Sequence, residues 1–209
     1  MKCIYLLLLA VSLWSCSNNE NKGSGTDTST SKSDTVLTKT NEAADLDTVD
    51  VYFFQNAAYG GMTEVESSNK VLAVTLDSGV KAFAETMLTD HGNANEKLKA
   101  LAASKGYTLP SMLPQSKIDR INRMEEMMDE GRNEYYMQLM ISEHQHALDL
   151  FAQATRSKDS EIREFAKSIL PILNTHYQHI QKLYTEFKKP KAEGGDDLLK
   201  LSDRKKQKG

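Results

Sequence analysis

The chain has 209 residues, with 26 Lys and Arg against 29 Asp and Glu, for a net charge of -3. With so weak a charge nothing suggests a nucleic-acid partner. Its two cysteines, Cys3 and Cys16, both lie near the start, so the remainder has no disulfide and no thiolate ligand, and any metal site must use His, Asp or Glu.

Residues 1–15 read as a signal peptide. Lys2 supplies a short positive start, and Ile4 to Leu13 form an apolar run of about ten residues, too short to span a bilayer. The stretch Leu13-Trp14-Ser15-Cys16 resembles a bacterial lipobox. That resemblance implies cleavage before Cys16 and a lipid on Cys16, which would anchor the protein to a membrane without a spanning helix. Ser17 follows without a strong acidic run, which points to the outer membrane and a protein facing the periplasm. Residues 16–46 carry this cysteine and a polar, Ser/Thr/Asn-rich stretch that cannot bury a core and is expected to be a disordered tether.

Residues 47–188 suit one domain. Apolar residues recur every three to four positions, and strand-like alternation is scarce. The first helix is expected from about Thr48 to Thr75, capped by Asp47 or Asp50. Its two mid-helix glycines, Gly60 and Gly61, point to close approach by a neighbour. The second starts at Asp77-Ser78 and stops at Gly106. A Pro-containing loop leads to a shorter helix, Lys117 to Met128, capped by Ser116. Gly131 marks a break. The third long helix spans Arg132 to Arg156. The fourth follows Asp159 or Ser160 and reaches Phe187, with an interruption and a kink expected at Pro171. The fold class is all-α: an antiparallel four-helix bundle with one extra short helix between the second and third long helices. Residues 189–209, with their Lys205-Lys206 cluster, are expected to be a disordered basic tail.

Four titratable residues lie where these helices should pack. At about 100° per residue, His91 shares its arc with Val80, Ala84, Met87, Leu88 and Leu98, and His144 with Met137, Met140, Ile141, Leu148 and Phe151. His176 shares its arc with Phe165, Ile169, Ile172, Leu173, Ile180 and Leu183, and Glu64 with Phe53, Ala57, Gly60, Gly61 and Val71. His146, about 200° from His144, should face water, and His179 lies at the margin of its stripe. Counted from the two tight turns, all four residues fall near mid-bundle.

Burying such groups unpaired is costly. Two solutions remain open. One is a transition metal ion (zinc, copper, iron or manganese) bound by Glu64, His91, His144 and His176, with Asp90 orienting an imidazole. The other is a closed hydrogen-bond network, with Asp90, Asn95 and Asn133 as helpers. The methionines Met87, Met137 and Met140 read as core filler.

Several motifs in order resemble the bacterial exported family called domain of unknown function 4142. They are Ala57-Ala58-Tyr59-Gly60-Gly61-Met62-Thr63-Glu64-Val65, Val80-Lys81-Ala82-Phe83-Ala84 with Met87 and Asp90-His91, and Lys105-Gly106-Tyr107-Thr108-Leu109-Pro110. Tyr136 and Phe151 flank His144, and Leu170-Pro171-Ile172-Leu173 leads to His176. The resemblance covers about residues 48–186 and implies a ferritin-like bundle without an established activity. Arg132-Asn133 stand where that family often has Phe-Asp. Leu88, Ile141 and Leu173 precede the three histidines by three positions, so the Glu-x-x-His motif of di-iron bundles is absent.

The leading expectation is therefore an envelope lipoprotein whose bundle binds one transition metal, for sequestration or protection against oxidants. The alternative is a non-catalytic interaction module with a metal-free polar core and an envelope protein partner, the segment Lys117 to Met128 being the first surface to test. A third reading, hydrolytic or peroxide chemistry on a single metal ion with an open position, has no separate nucleophile or acid–base pair behind it.

Overall fold

The computed structural model describes residues 46–190. The signal segment, Cys16, the tether up to residue 45 and the tail beyond residue 190 lie outside the described residues. Five α-helices follow one another: α1 Thr48–Leu72, α2 Ser78–Ser104, α3 Gln115–Asn122, α4 Asp129–Ala154 and α5 Ser160–Phe187. The all-α expectation holds among the described residues. None of these helices is long and apolar enough to cross a membrane.

Three of the four long helices begin behind an aspartate that accepts from their free amides, and α2 ends at a glycine. Asp47 accepts hydrogen bonds from the amides of Val49 and Asp50, Asp77 from Val80, and Asp159 from Glu161 and Ile162. At the end of α2, Gly106 adopts φ 70°, a left-handed conformation that glycine tolerates without steric cost. The Gly106 and Tyr107 amides donate back to the Ala103 and Ala102 carbonyls, closing a Schellman cap.

Three local expectations need correction. The short helix starts at Gln115 behind Pro114 and not at a Ser116 cap, and it gives way at Arg123–Glu126 to a 3-10 turn. Helix α4 already starts at Asp129, so Gly131 sits in its first turn, where amides lack intrahelical partners anyway and glycine need not break the helix. The Arg132 side chain secures this junction by donating to the carbonyls of Met124 (2.9 Å) and Met127 (2.5 Å). Helix α5 is not interrupted by Pro171. That residue is exposed, so the carbonyl it leaves without an amide can turn to water.

Cross-helix contacts define the topology. Phe53 packs on Phe151, and Ser68 meets Tyr136, so α1 and α4 run antiparallel. Asp90 pairs with His176 and Lys105 with Asp159, so α2 and α5 do too. The tight turns make α1–α2 and α4–α5 antiparallel hairpins. Helices α2 and α4 therefore point the same way, and the chain between them must climb the bundle from one end to the other. It does so by way of Tyr107 stacked on Phe54 at one end and Lys70 paired with Glu125 at the other. One long crossover of this kind is the connectivity of ferritin-like bundles.

The core consists of two apolar clusters. One, around Phe53, Phe54, Leu98, Phe151, Ile162 and Ile169, fills the end where α1 starts. The other, around Val71, Val80, Phe83, Met87, Tyr136 and Met140, fills the opposite end. Polar residues occupy the level between them.

Candidate metal centre

Glu64, His91, His144 and His176 come together at this middle level, one from each long helix, and all four are buried. One ring nitrogen from each histidine can be chosen so that the three lie within 4.8 Å of one another. The three ring centroids stand 5.2, 5.3 and 5.6 Å apart. Three buried histidines are thus close enough to hold one metal ion.

Each ring is held from behind by one of its two nitrogens. His91 Nδ1 lies 2.7 Å from Glu64 Oε2. His144 Nδ1 lies 2.9 Å from the Met140 carbonyl, and His176 Nε2 lies 2.9 Å from Asp90 Oδ2. A carbonyl can only accept, as can an ionised carboxylate, so these nitrogens must carry the protons. That leaves His91 Nε2, His144 Nε2 and His176 Nδ1, which have no hydrogen-bond partner among the described residues. A buried polar atom without a partner costs about 1–3 kcal/mol. Three on one cluster would make an apolar substitute preferable unless something else uses the lone pairs. Imidazoles oriented by a carboxylate or carbonyl on the far nitrogen are the usual build of histidine metal ligands.

The electrostatics favour the neutral, ligating form at two of the three rings, His144 and His176. Burial alone would raise the Glu64 carboxyl, but the charges of His91, His144 and His176 and the bond from His91 pull it down to about 2. Burial would lower His91, yet Glu64 and Asp90 beside it push it above its ordinary value. His144 is lowered by burial and by the charge of His91. His176 is lowered to about 4 by burial, His91 and His144, against the pull of Asp90. His144 and His176 therefore stay neutral near pH 7, the form that ligates metals.

A partly open cavity of about 510 Å³ reaches this level, lined among others by His91, His176, Glu64 and Gly60. His144 is fully buried. The controls on the same helices behave as expected: His146 and His179 are exposed, His179 with its ring edge on Phe83. Of the two glycines expected to allow close approach, Gly61 does so, since a Cβ there would stand 1.9 Å from Asn95 Oδ1 on α2, and Gly60 does not, since a Cβ there would meet nothing within 4 Å. Asn95 is thus seated on Gly61 and does not serve the imidazoles. Ile172, assigned from its angle to the packed face, is 43% exposed.

Two polar features escaped the sequence reading. Glu143, one position before His144, is buried and paired with Lys117 (2.7 Å) and Arg120 (2.9 Å) of α3. Only knowledge that α3 packs on α4 could have singled it out. Tyr136 is buried with its hydroxyl 2.8 Å from Ser68 Oγ, and burial raises its pKa. On α3 and the 3-10 turn, Ile121 and Met124 are buried. The segment expected to offer a partner surface thus uses that face for its own core, leaving Met128 exposed.

Comparison with known proteins agrees with this architecture. A DUF305 fragment from Deinococcus radiodurans superposes with a TM-score of 0.61 at 12% identity, covering 67% of this chain and 97% of that one. A DUF305 protein from Streptomyces coelicolor, described as secreted, gives 0.57 at 14% identity, covering 66% and 93%. At such identities the likeness shows the fold alone. A search among curated proteins found no match. The sequence model of the domain of unknown function DUF4142 matches residues 35–183. The chain belongs to the DUF4142 family.

Proposed function

We propose that the bundle binds one transition metal ion through His91 Nε2, His144 Nε2 and His176 Nδ1. The observation that carries this is the pairing pattern: three buried rings, each tied down at one nitrogen and each with the other unpartnered among the described residues. Glu64, counted among the ligands from sequence, takes a different part in this reading. It sits against the Nδ1 sides of His91 and His144, whereas the unpaired nitrogens of those two rings are on the Nε2 side. It serves as the anion that holds His91, as Asp90 holds His176. An all-imidazole set suits zinc or copper, and iron next, more than manganese, which prefers oxygen donors. A closed polar network is disfavoured by the same unpaired nitrogens.

The role is metal sequestration or protection in the cell envelope, with the lipid on Cys16 tying the protein to a membrane. The lipobox-like stretch at Cys16 supports that location, and the description of the Streptomyces coelicolor neighbour as secreted agrees with export.

The test uses purified, untagged full-length chain offered zinc, copper, iron and manganese in turn, with bound metal counted by mass spectrometry. One equivalent of metal is expected, lost in His91→Ala and His144→Ala and retained in His146→Ala. No uptake of any of the four ions, or equal loss in all three variants, would overturn the assignment.

A further inference from the structure

A buried site must let its ion in, and the ties that hold the three imidazoles lie at different depths. His91 is held by Glu64, whose side chain is 3% exposed, and His144 by a carbonyl of its own helix. His176 is held by Asp90, whose side chain is 40% exposed. Asp90 and His176 face each other across the seam between α2 and α5. On one side of this pair the seam is shut. There Phe83 packs on His179, and a Cβ at Gly79 would stand 2.7 Å from Leu183 Cδ1. On the other side, one turn along each helix, Ala94 and the exposed Ile172 border the cavity of about 510 Å³ that His91 and His176 also line.

Charge is unevenly spread around this cavity. Its lysine and arginine, Lys117 and Arg120, stand on α3, where both meet Glu143 of α4. The lining contributed by α2 and α5 holds neither residue type, and its one carboxylate is Asp90. A cation approaching along α3 passes two positive side chains. A cation approaching between α2 and α5 meets instead a carboxylate that is already bonded to a ring of the site.

We propose that the metal ion enters between α2 and α5 and lands first on Asp90, from which it passes to the three imidazoles as the His176 ring turns. The inference rests on the metal reading above and deepens it. Asp90 orients His176 in the loaded site and is also the first ligand of the ion on its way in. Oδ2 of Asp90 accepts from His176 Nε2, which leaves Oδ1 for the incoming ion. The unpaired ring nitrogens are buried, so a ring must move before the ion reaches them. His176 is the ring that can, because its tie is half-exposed and water can take the place of either partner. A carboxylate beside the opening raises the local concentration of cations and speeds their capture.

The test mixes metal-free, untagged full-length chain with cobalt(II), whose visible bands report its coordination, and measures the rates of uptake and release separately. Asp90→Asn keeps an oxygen for His176 and removes the charge. It is expected to slow uptake about tenfold at low salt and to flatten the fall of the uptake rate with rising salt. Asp149→Asn removes a charge from the α4 side of the same cavity and is expected to leave uptake within about twofold. Faster release with unchanged uptake in Asp90→Asn would show that Asp90 only orients His176, and overturns the route. Uptake slowed as much by Asp149→Asn overturns it too. Both results leave the metal reading intact, whereas failure of the wild type to take up cobalt overturns that reading and the route with it. Should Asp90→Asn take up no cobalt, Ile172→Lys decides, because it adds a cation at the seam without altering a ligand. Slowed uptake is then expected, and an unchanged rate overturns the route.

Discussion

At the scale of single residues, the orientation of three imidazoles matters more than their presence. A histidine on a packed helix face can satisfy itself by donating to one neighbour, and each of these three does so. What one neighbour cannot do is satisfy both ring nitrogens. Glu64→Gln removes the charge that holds His91 and should weaken metal binding about 10–100-fold, read as the free-metal concentration at half-occupancy. The metal-free chain should also lose stability in acid. His176 titrates near 4 when folded against an ordinary 6.5, so between those values the unfolded chain takes up a proton that the folded chain refuses. His144 is shifted the same way, and below 4.5 Glu64 joins them, down to about 2. His91 has the opposite sign: its contribution is present below 6.5 and is lost as pH rises through its raised folded value. Urea unfolding in chelator should show stability declining as pH falls from 6.5 to 4. A flat profile across that window would contradict the burial of neutral histidines.

Among the helices, α3 matters more than its eight residues suggest. It buries Ile121 against the bundle and directs Lys117 and Arg120 at Glu143, next to His144. Removing one side of a buried pair leaves an uncompensated charge and costs about 3–5 kcal/mol. Here the cations are partly exposed, so Lys117→Ala with Arg120→Ala should cost less, about 2 kcal/mol, measured by urea unfolding. Glu143→Leu in the same background should recover part of that loss, because no buried charge then remains. Tyr136→Phe removes the bond to Ser68 and should cost about 1 kcal/mol, again seen by urea unfolding.

Across the whole molecule, the crossover and the two apolar clusters explain why the site sits where it does. Antiparallel neighbours place residues near the middle of each helix at one level, and the clusters above and below exclude water from all but the cavity side. An ion that binds only the folded chain adds stability by mass action, about 2.7 kcal/mol at a free concentration 100 times the dissociation constant. Chelation should therefore lower the melting temperature of the metal-loaded chain and leave that of His144→Ala unchanged.

The helices, their caps at Asp47, Asp77 and Asp159, the stop at Gly106, and the choice of three histidines over His146 and His179 were legible in the sequence. Each depends on local chemistry or on the 3.6-residue period, which a single chain displays. The start of α4 was misjudged because Gly131 weighs as a breaker only where a full set of backbone bonds exists, and the first turn has none. The part played by Glu64, the pairing of Glu143 and the open cavity beneath the histidines depend on which helices are neighbours and on how far apart they stand. Angular position around one helix can say that a side chain points inward. It cannot say which nitrogen meets a partner from another helix, because that is set by packing between segments tens of residues apart.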